Sequence, residues 1–95
     1  MIYEMYDNPD WLTFDVMDSI ILHANKTLNF PDDVYFVIEF TSDINGDGNC
    51  DMEEGFVEIN VNNMLSKEDT ITTIFHELVH AEQIIRGKLV VGYGM

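Results

Sequence analysis

An α+β fold follows from three observations. An amphipathic helical pattern runs from Asp10 to about Leu28, strand patterns occupy residues 34–41 and 56–61, and a second helical run covers residues 71–87. The expected architecture packs an N-terminal helix and the second helix on a small, mostly antiparallel sheet. The 95 residues suit one domain, spanning 1–95.

Each element carries local signals. Residues 2–6 read as a short edge strand. Asn8-Pro9 offers a helix cap followed by proline in the first turn, and Phe14, Met17, Ile21, Ala24 and Leu28 recur at helical spacing. His23 falls on the opposite side, near Leu12, Val16 and Ser19, as a surface or partly packed histidine. Asn29-Phe30-Pro31-Asp32-Asp33 is a turn. Val34 to Thr41 is rich in β-branched and aromatic residues, with Val34, Phe36, Ile38 and Phe40 on one face. Phe56 to Val61 alternates, placing Val57, Ile59 and Val61 inward and Phe56, Glu58 and Asn60 outward. These two strands are expected to form an antiparallel hairpin with a long connection.

In the second helix Ile71, Ile74, Phe75, Leu78, Ala81 and Ile85 gather on one side, while Thr72, His76, His80 and Gln83 lie on another. Ser66 followed by Asp69 resembles a capping box with Asp in place of Glu or Gln. Gly87, flanked by Arg86 and Lys88, marks the expected end. Residues 88–95 then extend as a strand or trail, with an apolar character suited to packing.

Composition narrows the classes of function. Hydrophobic residues make up 46% of the chain and aromatic residues 12%, a globular balance. Eighteen acidic residues against four basic ones leave a net charge of −14. That charge opposes direct nucleic-acid binding, which draws on cationic contacts to phosphate, and favours cations or basic partners; a solvated acidic surface accounts for it more simply. No apolar run is long enough to span a membrane, and the first residues lack the basic start and apolar core of a secretory signal. The lone Cys50 excludes an internal disulfide. A cytoplasmic setting is expected, in a host cytoplasm if the chain is phage-encoded. The sequence sets no oligomeric state.

His76 and His80 stand four residues apart, which stacks them on one helix face within reach of a single ion. Zinc accepts two such imidazoles. Glu77 beside them is free to take a proton from a zinc-activated water, whose pKa zinc lowers to about 7. This is the H-E-x-x-H pattern of metallopeptidases. The rival reading is chance, but the histidines avoid the apolar stripe and the helix signals agree.

The run Phe75-His-Glu-Leu-Val-His80-Ala-Glu-Gln83, followed by Arg86-Gly87-Lys88-Leu89 and preceded by a strand ending in Glu58-Ile-Asn60, resembles the small metallopeptidases of phages and bacteria. These are minimal zincins related in architecture to SprT-like proteins. The resemblance covers about residues 35–90, and its specific part is the helix. It implies a zincin-like fold, peptide hydrolysis, His76 and His80 as Zn²⁺ ligands and Glu77 as general base. Gln83 matches a recurrent position without an assigned role. In zincins the strand before this helix resembles a docking edge for extended substrate, which would bring Glu58 and Asn60 near the cleft; ordinary outward residues are the plainer reading.

The resemblance also implies a third ligand, commonly downstream of the helix, yet after Glu82 there is no His, Asp, Glu or Cys. Glu82 lies two residues from His80, roughly 200° around the helix, and cannot join the same ion. The third ligand comes from upstream, from a second chain or from the Met95 carboxylate, or else the site is incomplete, as in a form truncated at its C-terminus.

A second pattern lies in the connection. Asp43, Asn45, Asp47, Asp51 and Glu54, with Asn49 between and Gly48 at the sixth position, satisfy the spacing of a calcium-binding EF-hand loop. The flanks read as strands, whereas an EF-hand loop joins helices. A polar hairpin loop with Gly46 and Gly48 in turn conformations is the competing view. Two rivals to peptide hydrolysis therefore stand: a Ca²⁺-binding module built on residues 43–54, and an acidic interaction protein that presents carboxylates to a basic partner.

Overall fold

The computed structural model describes the backbone of residues 1–94 and the side chains of residues 1–87. Its elements are β1 (Ile2–Tyr6), α1 (Phe14–Leu28), β2 (Tyr35–Thr41), β3 (Gly48–Glu53), β4 (Phe56–Asn62) and α2 (Lys67–Gly94). The α+β class holds, with two helices and one four-stranded sheet.

The sheet is mixed rather than mostly antiparallel. Its order is β1-β2-β4-β3, with β1 parallel to β2, β2 parallel to β4, and β3 antiparallel to β4. The expected antiparallel hairpin of residues 34–41 and 56–61 is thus corrected to a parallel pair, Ile38 opposite Ile59. The physical cause lies in the connection. Parallel neighbours need a return path, and β3 supplies it, running back along the outer side of β4 before the turn at Gly55, where φ is +90°. The alternation Gly48, Cys50, Met52 against Asn49, Asp51, Glu53 is the period-2 signal of this strand.

Thr13, not Asn8, caps α1. Its backbone is extended and its hydroxyl accepts from the Val16 N–H at 3.3 Å. Asn8-Pro9 builds the preceding turn: Asn8 Nδ2 donates to the Leu12 carbonyl at 2.7 Å and the Leu12 N–H to the Pro9 carbonyl at 2.9 Å. Asn29, at φ +56°, ends the helix by donating to the Asn25 carbonyl. The buried stripe is Met17, Ile20, Ile21 and Ala24, so Phe14 is displaced to the surface at 55% exposure. His23 is exposed, its ring edge-on to Phe75 at 5.9 Å.

On the sheet Phe36, Ile38 and Phe40 of β2 and Val57, Ile59 and Val61 of β4 bury one face against the helices. Glu58 and Asn60 point to the other face, in line with their outward assignment. Because β4 is an inner strand, it offers no docking edge; β3 is the edge beside α2. Gly87 does not end α2. It keeps no left-handed φ, and the helix continues to Gly94, since a glycine in helical conformation costs only about 1 kcal/mol against alanine and no proline follows. No helix among the described residues is long and apolar enough to cross a membrane.

Phe36 is fully buried and packs edge-on to Phe30 at 5.1 Å. Phe36→Ala should lower the denaturant-unfolding free energy by about 3–5 kcal/mol, whereas Leu22→Ala, at 65% exposure, should shift it by no more than about 0.5 kcal/mol.

Candidate metal centre

The start of α2 is set by Ser66, whose hydroxyl accepts from the Asp69 N–H at 3.1 Å and whose carbonyl accepts from the Thr70 N–H at 2.8 Å. Glu68 and Asp69 complement the positive end of the helix dipole. The stripe of Ile74, Leu78 and Ala81, all fully buried, then fixes the helix rotation. With that rotation His76 and His80 emerge on the exposed side, and Glu77 turns toward β3.

The two imidazoles converge. Their Nε2 atoms lie 3.0 Å apart, with ring planes at 84°. Two Zn–N bonds of about 2.0–2.1 Å span roughly 3.3 Å between nitrogens at the tetrahedral angle, so a few tenths of an ångström of opening admits an ion. The donor pair therefore fits zinc. A third donor is not assembled: among the described residues no group of three or more His, Cys, Asp or Glu is gathered to hold a metal. The Met95 carboxylate lies outside the described residues. Glu82 pairs with Arg86 at 3.6 Å, and Gln83 is exposed.

Glu77 is 5% exposed and has no hydrogen-bond partner among the described residues, yet its carboxylate oxygens keep access to the groove, since no orphaned side-chain oxygen is fully enclosed. Burial raises its pKa, while the imidazoles of His80 and His76 pull the other way. What brings Glu77 so close to β3 is Gly48. A β-carbon there would sit 2.7 Å from Thr73 Cγ2, 3.1 Å from the Asn60 carbonyl oxygen and 3.2 Å from Glu77 Cγ. Gly48 is thus required for space rather than for a turn; the turn conformation belongs to Gly46, at φ +88°.

The calcium pattern is not gathered. Asp43 lies in the bend that follows β2, its N–H donating to Thr41 Oγ1 at 3.0 Å, and the bend is tied to β4 by the Asn62 side chain donating to the Gly46 carbonyl at 3.0 Å. From Gly48 the backbone is extended, at about 3.3 Å per residue, so Asp51 and Glu54 are carried away from Asp43 and Asn45. Asp51 stands opposite Glu58 on the outer face. Asp47, however, borders the groove with His76 and Glu77, and Cys50 borders it with His80. Neither placement was assigned from sequence; the alternation of β3 was the available signal for Cys50.

Comparisons of the chain with protein-family models, with curated proteins and with solved structures find no match.

Gly48→Ala should cost about 1–3 kcal/mol of stability through overpacking, whereas Gly46→Ala should act through backbone strain alone, leaving the groove intact; unfolding titrations and the histidine NMR resonances separate the two. Burial and the neighbouring Glu77 and Asp51 push the Cys50 thiol up to about 12 from 9.0. Below pH 9 it should therefore react with thiol reagents on the order of a thousandfold more slowly in the folded metal-free chain than in the unfolded one. The raised pKa contributes stability that is present below pH 9 and lost as pH rises through 12.

Proposed function

We propose that this chain is a zinc-dependent metallopeptidase with a zincin-like arrangement. The carrying observation is the convergence of His76 and His80 Nε2 to 3.0 Å beside the buried Glu77, which has no hydrogen-bond partner among the described residues. The resemblance of residues 75–83 to minimal zincins supports the same reading.

His76 and His80 would hold the ion. Zinc, when bound, supplies Lewis-acid polarisation of a peptide carbonyl and acidifies water. Glu77 takes a proton from the attacking water and returns it to the leaving amine nitrogen, so that water and amide become carboxylic acid and amine. Burial favours its protonated form and the imidazoles favour the ionised one, a balance suited to taking and releasing a proton. The outer edge of β3 presents unpaired backbone groups on which an extended peptide can align. The free thiol of Cys50 suits a reducing compartment, and the cytoplasm is the proposed setting.

Elemental mass spectrometry of the purified chain should find zinc that is lost in His80→Ala. A ratio of about one zinc per chain would establish the site as assembled and turn the question to which group supplies the third ligand. Glu77→Gln should keep the zinc and lower peptide turnover by about 10²–10⁴-fold. Undiminished turnover in that variant, or no zinc in the parent chain, would overturn the proposal.

A further inference from the structure

The groove between α2 and the segment leading into β3 has two compartments that meet at Gly48, His76 and Glu77. One, of about 530 Å³, runs toward Asp47, Thr72 and Thr73. The other, of about 350 Å³, runs toward Cys50, His80 and Ile84. Their chemistry differs. The first is bordered by the Asp47 carboxylate and the exposed Thr72; the second by a neutral thiol and an aliphatic side chain.

Asp47 is held by its backbone, its carbonyl accepting from the Asn62 N–H at 2.8 Å, and its exposed carboxylate makes no hydrogen bond or ion pair among the described residues. Glu77, ninety-five per cent buried and also unpartnered among them, opens into the same compartment. The cations described in the structure are engaged or remote. Lys67 lies over the Trp11 ring at 5.3 Å, Arg86 pairs with Glu82, and Lys26 sits in the last turn of α1. Two carboxyl groups thus line one pocket that, among the described residues, no lysine or arginine borders, a preorganised complement to a positive side chain.

We infer that the Asp47 compartment is a subsite for a lysine or arginine side chain of an extended peptide, with the Cys50 and Ile84 compartment receiving a small or apolar side chain across the scissile bond. The choice of a peptide as ligand rests on the metallopeptidase proposal. Asp47 positions the cationic side chain by charge, Thr72 offers a hydroxyl acceptor, and the free edge of β3 aligns the peptide backbone between the compartments.

The test uses the full metal-free chain and two blocked alanine peptides, one carrying a central lysine and the other norleucine there. Titrations are followed by backbone amide NMR. The lysine peptide should bind about three- to fivefold more tightly, the range of an exposed ion pair, with shifts centred on Asp47, Thr72 and Thr73. Asp47→Asn should abolish that preference. Asp10→Asn, which removes the same charge from an exposed turn outside the groove, should preserve it. Equal losses in the two variants, equal affinity for the two peptides, no binding of either at millimolar concentration, or shifts confined to the outer sheet face would each overturn the subsite. A lysine preference mapped to Asp47 in a chain that neither retains zinc nor cleaves peptides would uphold the subsite while removing the peptidase reading. Cleavage without that preference would do the reverse.

Discussion

The close approach of α2 to β3 at Gly48 is the constraint on which the rest of the site depends. A hydrogen in place of a β-carbon lets Thr73 and Glu77 lie against the strand, where a side chain at residue 48 would meet Thr73 Cγ2 at 2.7 Å. Seated there, α2 buries Ile74, Leu78 and Ala81 toward the sheet and leaves His76 and His80 exposed beside the groove. One face of the helix thus serves the core, its border carries the buried carboxylate, and the next face carries the imidazole pair. Rotation of the helix by one residue, about 100°, would bury a histidine or expose the core stripe, so packing energy fixes the orientation that the proposed chemistry uses.

The mixed sheet determines what stands beside that helix. A simple hairpin between β2 and β4 would have left β4 at the edge. The return strand β3 displaces β4 to the interior and takes the edge itself. Asp47, Gly48 and Cys50 reach the groove because the chain must cross the end of β4 before running back. The polar stretch that resembles a calcium loop is therefore spent on strand formation in its second half, while its middle residue, Asp47, borders the groove.

Charge is distributed unevenly over this frame. On the outer sheet face Asp51 stands opposite Glu58, a like-charge pair that is unfavourable by itself. The Asn60 amide moderates it by donating to Glu58 Oε1 at 3.1 Å and to Asn49 Oδ1 at 3.0 Å. In the groove no comparable donor reaches Glu77 among the described residues. The acidic excess is a solvated surface over most of the molecule, but at Asp47 and Glu77 it borders the open groove beside α2.

Local signals in the sequence determined the elements whose cause is local. The Ser66 cap, the apolar stripe of α2, the stacking of His76 and His80, the turn after Leu28 and the inward faces of β2 and β4 all follow from spacing along one segment. Hydrogen-bonded turns and hydrophobic periodicity act over a few residues, so they are written where they act. Strand pairing, the identity of the edge, the role of Gly48, the arrival of Asp47 and Cys50 at the groove and the dispersal of the calcium pattern were decided only by the tertiary structure. Each depends on a contact between distant segments, Gly48 with Thr73 or β2 with β4, and no periodicity within either segment records its partner. The parallel register illustrates the point: the residues of β4 present the same buried face in either strand direction, and only the return strand selects one.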